Sequence, residues 1–442
     1  MTSAEATARV LPALQAIVGP EGVRQGAEAA AYRLDAVAPG AAVLPRDEGE
    51  VSRTLLVASQ HGLGVVPWGR GAHQSVGRLP IRYDLALDLA RLNRVLAYEP
   101  ADMTVTVQAG IGVEDLQRRL GEAGQFLALD PPLADRATVG GVVAANLNGP
   151  LRCRYGTVRD LVLEIRVAQA DGTITKAGAR VVKNATAYDL TKLHVGAHGT
   201  LGVILETTLR VQPRPAVERG WWLIGANLER CHDLALRLLG SHLAPNRVEL
   251  LDGTGGPVCG APGPGPALTV SFAGVKEAVE DQAATLERLA EETGLRVAAK
   301  DNGPVVWQTL QDFPWRSHAD ASACRIQWRA SVLPSDCAKA MRALRDAAAP
   351  NGITMAATVA HGVLRGELLA PSLDAAAAGL TAAREAAGAL GGFLVVTAAP
   401  APIRATLDLW GPAPGGAVLM RQLKAAFDAT QVLNPGRFAA GI

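Results

Sequence analysis

The stretch from Val181 to Glu206, VVKNATAYDLTKLHVGAHGTLGVILE, holds more chemistry than a scaffold needs. Lys183-Asn184 and Tyr188-Asp189 stand ahead of Gly196, Gly199 and Gly202, with His198, Thr200 and Leu201 between the glycines. A backbone without Cβ atoms can approach something flat or charged. A turn between strands would need one or two glycines. Three in seven residues, leading straight into Val203-Ile204-Leu205, favour a loop that touches a ligand.

Two further glycine clusters extend this pattern. PWGRGAHQSVG, from Pro67 to Gly77, follows the apolar pair Val65-Val66, with Gly69 and Gly71 flanking Arg70. Bare N–H groups after a strand form an anion-binding concavity, and a guanidinium adds charge, as a pyrophosphate requires. The loop is not GxGxxG and opens no strongly periodic helix, so a nicotinamide-type fingerprint is not supported. As a lone motif it would serve a surface turn equally well. The third cluster, ATVGGVVAANLNGPLRCRYGTVRD, runs from Ala137 to Asp160. Thr138 and Gly140-Gly141 precede Val142, Val143, Ala144 and Ala145, which read as a helix of small residues. Such a helix can press against a planar ligand or against another element. Asn146, Asn148 and Gly149 end it, and Arg154-Tyr155-Gly156 makes a further turn.

The elements that position these loops follow from periodicity. Asp47 and Glu50 have capping-box spacing, so a helix runs from Asp47 to Gly62 with Val51, Leu55 and Ala58 on its apolar face. Leu85, Leu87 and Leu89 alternate with Ala86 and Asp88, which predicts a strand with one buried face. Val105 and Val107 mark another, and Gly110-Ile111-Gly112 breaks into a short helix carrying Val113, Leu116 and Leu120. Asp130-Pro131-Pro132 is a rigid extended corner. Leu161 to Ala168 is a strand, Asp171-Gly172 a hairpin turn, and Thr173 to Lys176 the return. Gln212-Pro213-Arg214-Pro215 reads as a domain boundary, because prolines cannot join a central ladder. Beyond it, helices at Cys231–Leu239, Val275–Thr293, Asp336–Ala348 and Leu373–Leu390 alternate with strand-like runs at Trp221–Ile224, Leu268–Phe272, Arg325–Val332 and Phe393–Val396. That texture predicts a sheet with helices on one face. Gly253 to Pro266 reads as a mobile, low-complexity loop.

Composition narrows the function. The 442 residues suggest two or more domains, and 49% apolar residues allow a large core. A net charge of +1 without basic or acidic blocks, and only 4% aromatics, argue against a nucleic-acid binder. No apolar run reaches the length of a membrane span. The N-terminus reads as an amphipathic helix and not as a signal peptide. Cys153, Cys231, Cys259, Cys324 and Cys337 lack CxxC spacing, which excludes the usual local signatures of zinc and iron–sulfur sites and suggests a reducing compartment.

Three glycine segments and the tail resemble the flavin-binding oxidases of the vanillyl-alcohol oxidase / p-cresol methylhydroxylase superfamily, and among them the E subunit of bacterial glycolate oxidase. The likeness rests on Arg180 to Leu193, RVVKNATAYDLTKL, with Gly199 to Ile204. It also rests on Pro67 to Gly77, on Thr138 to Asp160 with its RYGTVRD run, and on Leu433 to Gly436, LNPG. It covers about Ala38 to Pro213 well and is patchy beyond, at Trp328 to Asp336 and the tail. Thr186 and Ala187 stand where the family pattern has Ala and Gly. The resemblance implies an α+β protein: a helical segment over 1–37, a PCMH-type FAD-binding domain of two α/β subdomains over 38–215, and an α+β cap with a mostly antiparallel sheet over 216–442, whose tail touches the flavin.

It implies further that FAD is cradled by Pro67, Trp68, Gly69, Arg70, Gly71, Ala72, His73, Gln74, Ser75 and Gly77. Pro131, Thr138, Gly140, Gly141, Ala144, Ala145, Asn146 and Gly149 continue the cradle, with Arg154, Tyr155, Gly156, Gly199, Leu201, Gly202, Val203, Ile204 and Asn434. Some relatives carry a histidyl–flavin bond in the first loop. His73 falls one position before that histidine, so noncovalent FAD is expected. The family's HxGDGNxH-like metal motif is missing around Ala360 to Leu364, where His361 stands alone, so no metal is expected. The implied function is an FAD-binding subunit of a glycolate oxidase-type complex. It would oxidise a 2-hydroxy acid beside a catalytic FAD subunit and pass electrons to an iron–sulfur subunit, in the cytoplasm or peripheral to the inner membrane through those partners. A self-sufficient FAD-dependent 2-hydroxy acid or alcohol oxidoreductase is the alternative, with Arg329 and His361 as weak catalytic candidates and Trp315, Arg316 and His318 beside them. A scaffold that has lost its flavin is a third reading, disfavoured by the intact glycines.

Overall fold

A computed structural model describes residues 3–179, 189–316 and 324–442. Lys183, Asn184, Thr186, Ala187, Tyr188 and His318, singled out from the sequence, lie outside these described residues.

The first sheet sets strands in the order Val23–Arg24, Ala41–Val43, Leu85–Asp88, Val65–Trp68, the last three parallel. Leu85 and Leu87 pack with Ala41, Val43 and Val65 against the helices Ser3–Val18 and Glu48–Gln60. On the opposite face Ala86 meets Leu34, Ala42, Val66 and Tyr83. The strand is therefore buried on both faces, not on one. Parallel neighbours need crossovers, and crossovers cover both sides of a sheet. Asp47 caps the second helix as its spacing predicts, its carboxylate accepting from the Glu50 N–H at 2.8 Å.

The second sheet is antiparallel, in the order Val95–Glu99, Thr104–Gln108, Val203–Arg210, Val162–Ala168, Ile174–Gly178. The helices Val113–Gly121 and Val139–Ala145 pack on it through Leu116, Leu120, Val142 and Val143. Val203 and Leu205 reach into the core of the first sheet, so the two subdomains are welded along the strand that follows the last glycine loop.

After Arg210 the chain pairs Gln212-Pro213 with Gln125-Phe126 and then enters a third sheet at Val217. This sheet has eight antiparallel strands, in the order Arg296–Lys300, Val217–Ile224, Ala267–Gly274, Arg247–Leu251, Gly352–Thr358, Val363–Ala370, Cys324–Ser331, Phe393–Ala398. Helices Leu228–Leu239, Lys276–Thr293, Cys337–Ala348 and Leu373–Ala389 cover one face, over Trp221, Phe272 and Trp328. The other face carries the helix Pro304–Asp312, through Trp307 and Leu310. Gly253 to Pro266, expected as a mobile loop, contains the short helix Gly255–Val258. The Asp252 carboxylate accepts from its Gly255 N–H at 2.6 Å, and the buried Cys259 anchors its end.

The two ends of the chain differ from the divisions expected at residues 37 and 216. The helix Ser3–Val18 buries Val10, Leu14 and Val18 in the first sheet's core. The tail returns to the same core. Val432 and Leu433 are buried there, Leu433 bridges Val65 in parallel, and the Asn434 N–H donates to the Val65 carbonyl at 2.8 Å. The third sheet is thus a long excursion between two pieces of one structure.

Candidate functional site

The three glycine segments converge at the junction of the first two sheets, around a cavity that is partly open to solvent. The strand Val65–Trp68 delivers Pro67, Trp68, Gly69, Arg70, Gly71, Ala72, His73 and Gln74 to its wall. The helix Val139–Ala145 and its cap bring Thr138, Gly140, Gly141, Ala144 and Ala145. The last loop and strand bring Gly199, Gly202, Val203 and Ile204, and the tail brings Asn434. Thr138 starts its helix by accepting from the Gly141 N–H at 3.2 Å. A Cβ on Gly141 would meet only that hydroxyl, at 3.1 Å, so this backbone is bare toward the cavity. Gly199 has φ +66°, a conformation L side chains rarely adopt, and it stands against the Asn434 amide.

The remaining expected cradle residues lie off this wall. Ser75 donates to the Thr397 carbonyl of the third sheet at 3.0 Å. Gly149 packs on Asp130 and Gly77 on the Arg437 carbonyl. Arg154 holds the Ala244 carbonyl at 2.7 Å, Tyr155 lies edge-on to Phe126, and Gly156 ends the short helix that carries both. Pro131 accepts from Gln311 at 2.8 Å. Asn146 is the left-handed cap that ends its helix, and Leu201 is buried. These residues shape the loops from behind.

Charge is distributed differently from the sequence expectation. Arg70 is bound at the surface by Asp115, at 2.6 Å. The buried cation is Arg437, next after LNPG, which no motif in the sequence singles out. Its guanidinium donates to Gln74 Oε1 (2.6 Å) and to the carbonyls of Gln74 (2.7 Å), Val76 (3.1 Å) and Arg78 (3.2 Å). All these acceptors are neutral, so its charge is not cancelled. Burial first, then the nearby Arg404, pushes it down to about 10. It lines the cavity together with Arg136, Ala109 and Leu89, which the resemblance does not place in the cradle, and with His198 of the last glycine loop. The His73 ring sits 3.0 Å from the Pro132 carbonyl and edge-on to Trp315, and burial pushes it down to about 4.

A second cavity adjoins the first and shares Val76, Ala145 and His198 with it. Phe313, Trp315, Trp410, Val363 and Val395 make its apolar wall, and Arg152, Arg329 and Arg365 its basic one. Strand alternation turns Arg329 away from Trp328, whose ring belongs to the helical core, and toward this cavity. Arg365 is spoken for by Glu249, at 2.7 Å. Arg329 has neither an ion pair nor a side-chain hydrogen bond among the described residues, and burial lowers its proton affinity. Of the two catalytic candidates, then, Arg329 reaches the junction. His361 does not line either cavity, and its Nδ1 is buried without a partner. Arg316 is committed to Asp312 and Asp135. Among the described residues no group of His, Cys, Asp or Glu could hold a metal ion.

A cavity built by a post-strand glycine loop, a small-residue helix and a buried arginine has the chemistry for an elongated, flat, diphosphate-bearing ligand. A profile of the FAD-binding-domain family matches residues 39–178, which contain the first two of the three glycine segments. Over these residues the chain is similar to the FAD-binding domains of that family. Its relatives include the glycolate oxidase subunit GlcD of Bacillus subtilis, 31% identical over 48% of this chain and 46% of that protein. Another is the mitochondrial cytochrome-linked D-lactate dehydrogenase of Arabidopsis thaliana, 36% identical over 48% of this chain and 37% of that one. The matched stretch thus spans less than half of either relative's own length. Solved structures follow the fold much further. Substrate-bound p-cresol methylhydroxylase superposes with a TM-score of 0.78 at 15% identity, over 98% of this chain and 96% of that one. Alkyldihydroxyacetonephosphate synthase does so with 0.77 at 18%, over 97% and 84%. The α+β fold is that of the PCMH-type flavoproteins, and the cofactor of the FAD-binding domain is FAD. The cavity fits it: Gly141 is bare on the side a Cβ would fill, and Asn434 Oδ1 is buried at the wall without a partner. No helix among the described residues is long and apolar enough to cross a membrane.

Proposed function

We propose that this chain is an FAD-dependent oxidoreductase of 2-hydroxy acids, with FAD in the glycine-lined cavity and the acid in the adjoining one. The observation that carries the reading is Arg329, a buried guanidinium without a protein partner among the described residues, on the wall of the cavity that shares His198 and Ala145 with the flavin site. An unpaired buried cation is costly, and a substrate carboxylate is the partner that relieves it. FAD, when bound, supplies a two-electron oxidant. The chain's own residues do the rest. Arg329 fixes the carboxylate end of the acid, and the rings of Phe313, Trp315 and Trp410 exclude water around the carbon to be oxidised. Arg437 and Asn434 hold the opposite side through the first loop and the tail.

The likeness to a protein that is itself a subunit supports a second reading, that turnover requires partner chains, and a catalytic FAD subunit and an iron–sulfur subunit are the partners this reading proposes. In that case the chain works in the cytoplasm or at the inner membrane surface through those partners. The two readings part in one assay. The flavin-loaded chain alone is given 2-hydroxy acids and an artificial electron acceptor. The first reading expects turnover, and expects Arg329→Met to lower kcat/KM by roughly tenfold to a hundredfold, the loss of a charge-assisted hydrogen bond. Absence of turnover by the isolated chain, restored by co-purified neighbours, would establish the second.

A further inference from the structure

The second cavity carries more positive charge than one carboxylate can use. Arg329 comes from the strand Cys324–Ser331 of the third sheet, and Arg152 from the short helix Arg152–Tyr155 of the flavin-side structure. Both line the same wall. Arg365, the third guanidinium there, is cancelled by Glu249. No carboxylate lines the cavity among the described residues, and the Nε of Arg152 is buried without a partner. Nor is Arg152 there by looseness. Its helix is pinned to the third sheet's structure by Arg154, which donates to the Ala244 carbonyl at 2.7 Å. Two guanidinium charges held in one largely apolar chamber repel each other and lose hydration. Consistent with that, burial and then the charge of Arg329 push Arg152 down to about 10, against a smaller opposite pull from Glu249 and Asp160. A monoanion would relieve only one of the two.

We propose that this cavity selects a dianion: a short 2-hydroxy acid with a second acidic group, carboxylate or phosphate, one anionic end resting on Arg329 and the other on Arg152. The inference rests on the reading of this cavity as the substrate pocket, and it narrows the substrate class. Guanidinium forks pair with carboxylate and phosphate alike, so the two sources share one chemistry and need separate arms in the experiment.

The test uses the flavin-loaded full chain and ligands without the hydroxyl, so that no turnover intervenes: butanoate, butanedioate and 3-phosphooxypropanoate, titrated by calorimetry. The expected result is that one or both of the acids with two anionic ends bind at least about tenfold tighter than butanoate. The tighter of the two identifies the second group. Arg152→Met should erase that advantage, whereas Arg152→Lys should keep part of it. Arg329→Met should weaken all three ligands. The same split should appear in KM when 2-hydroxybutanoate is compared with 2-hydroxybutanedioate. Equal affinity for monoanion and dianions, or an Arg152→Met variant that loses both equally, overturns the dianion inference and leaves the hydroxy-acid reading standing. Binding of none of the three overturns the hydroxy-acid reading and this inference with it.

Discussion

At the scale of single residues, glycines that look alike in sequence do different work. Gly141 is exposed toward the flavin cavity, and a Cβ there meets only the Thr138 hydroxyl. Gly202 also lines the cavity, but its Cβ would lie 2.2 Å from Val167 Cγ1, inside the second sheet's core. Gly141→Val should therefore leave the fold intact and push side-chain carbons into the cofactor's space. Overpacking of about 1–3 kcal/mol translates into a loss of FAD affinity of roughly one to two orders of magnitude. Gly202→Val should in addition destabilise the protein by about 1–3 kcal/mol even without flavin. Flavin absorbance per chain and urea denaturation of both variants check this. Full flavin occupancy in Gly141→Val would show that the cofactor lies elsewhere. The motif alone could not separate the two glycines, because the atom that makes Gly202 a packing residue comes from another strand.

At the scale of elements, the tail is the least obvious part of the design. The helix Ala417–Phe427 buries Lys424, whose ammonium donates to the carbonyls of Thr200 (2.9 Å) and Leu433 (2.8 Å) and pairs with Asp428 at 2.5 Å. Asp428 accepts in turn from the Val432 and Leu433 N–H groups, both at 2.8 Å. One buried ion pair thus sews the tail to the third glycine loop. Lys424→Met would leave Asp428 buried without its cation, at a cost of about 3–5 kcal/mol. The checks are a lowered midpoint in urea and weaker flavin retention. A variant as stable as the parent would mean that the carboxylate is neutralised by other means.

These tail contacts also mark how far the sequence can be read. Helix caps are local, so Asp47 is legible from spacing alone, whereas the loop at Pro67 gains its meaning only beside the other glycine segments. Leu85–Asp88 reads as half-buried because periodicity does not see the second layer that a parallel crossover brings. Arg437 lies 363 residues from Gln74, and Arg152 and Arg329 meet only because two domains close on each other. No local pattern encodes such pairs.

At the scale of the whole molecule, burial of histidines should make the protein acid-sensitive above the carboxylate range. Burial pushes His73 and His194 down to about 4 and His198 to about 3, the last also through Arg437 and Arg329. In the unfolded chain each titrates near 6.5. Between these values the unfolded state takes up protons that the folded state refuses, so stability present above pH 6.5 is lost as pH falls toward 4. Asp130 acts in the opposite sense. Burial raises it to about 7 from 3.8, so its contribution grows as pH falls through that window. Asp88 is raised by burial as well. Three imidazoles against these carboxyls should leave a net loss. Urea denaturation of the flavin-free protein should give a lower unfolding free energy at pH 5 than at pH 7, and His194→Phe should flatten the difference. A free energy that does not change, or that rises toward pH 5, would contradict the buried neutral state of these rings.

The return of the tail to Val65 has a mechanical consequence for the third sheet. The polypeptide crosses to that sheet between Pro213 and Val217 and crosses back between Ala398 and Ala417. A lid hung on one strand of chain can swing and twist in any direction. A rigid body held at two points can turn only about the line that joins them. Two crossings therefore leave any parting of the two halves fewer directions than one crossing would. Such a parting would strain the bond from Ser75 to Thr397 and the one from the Leu133 N–H to Asp312, at 3.0 and 2.7 Å.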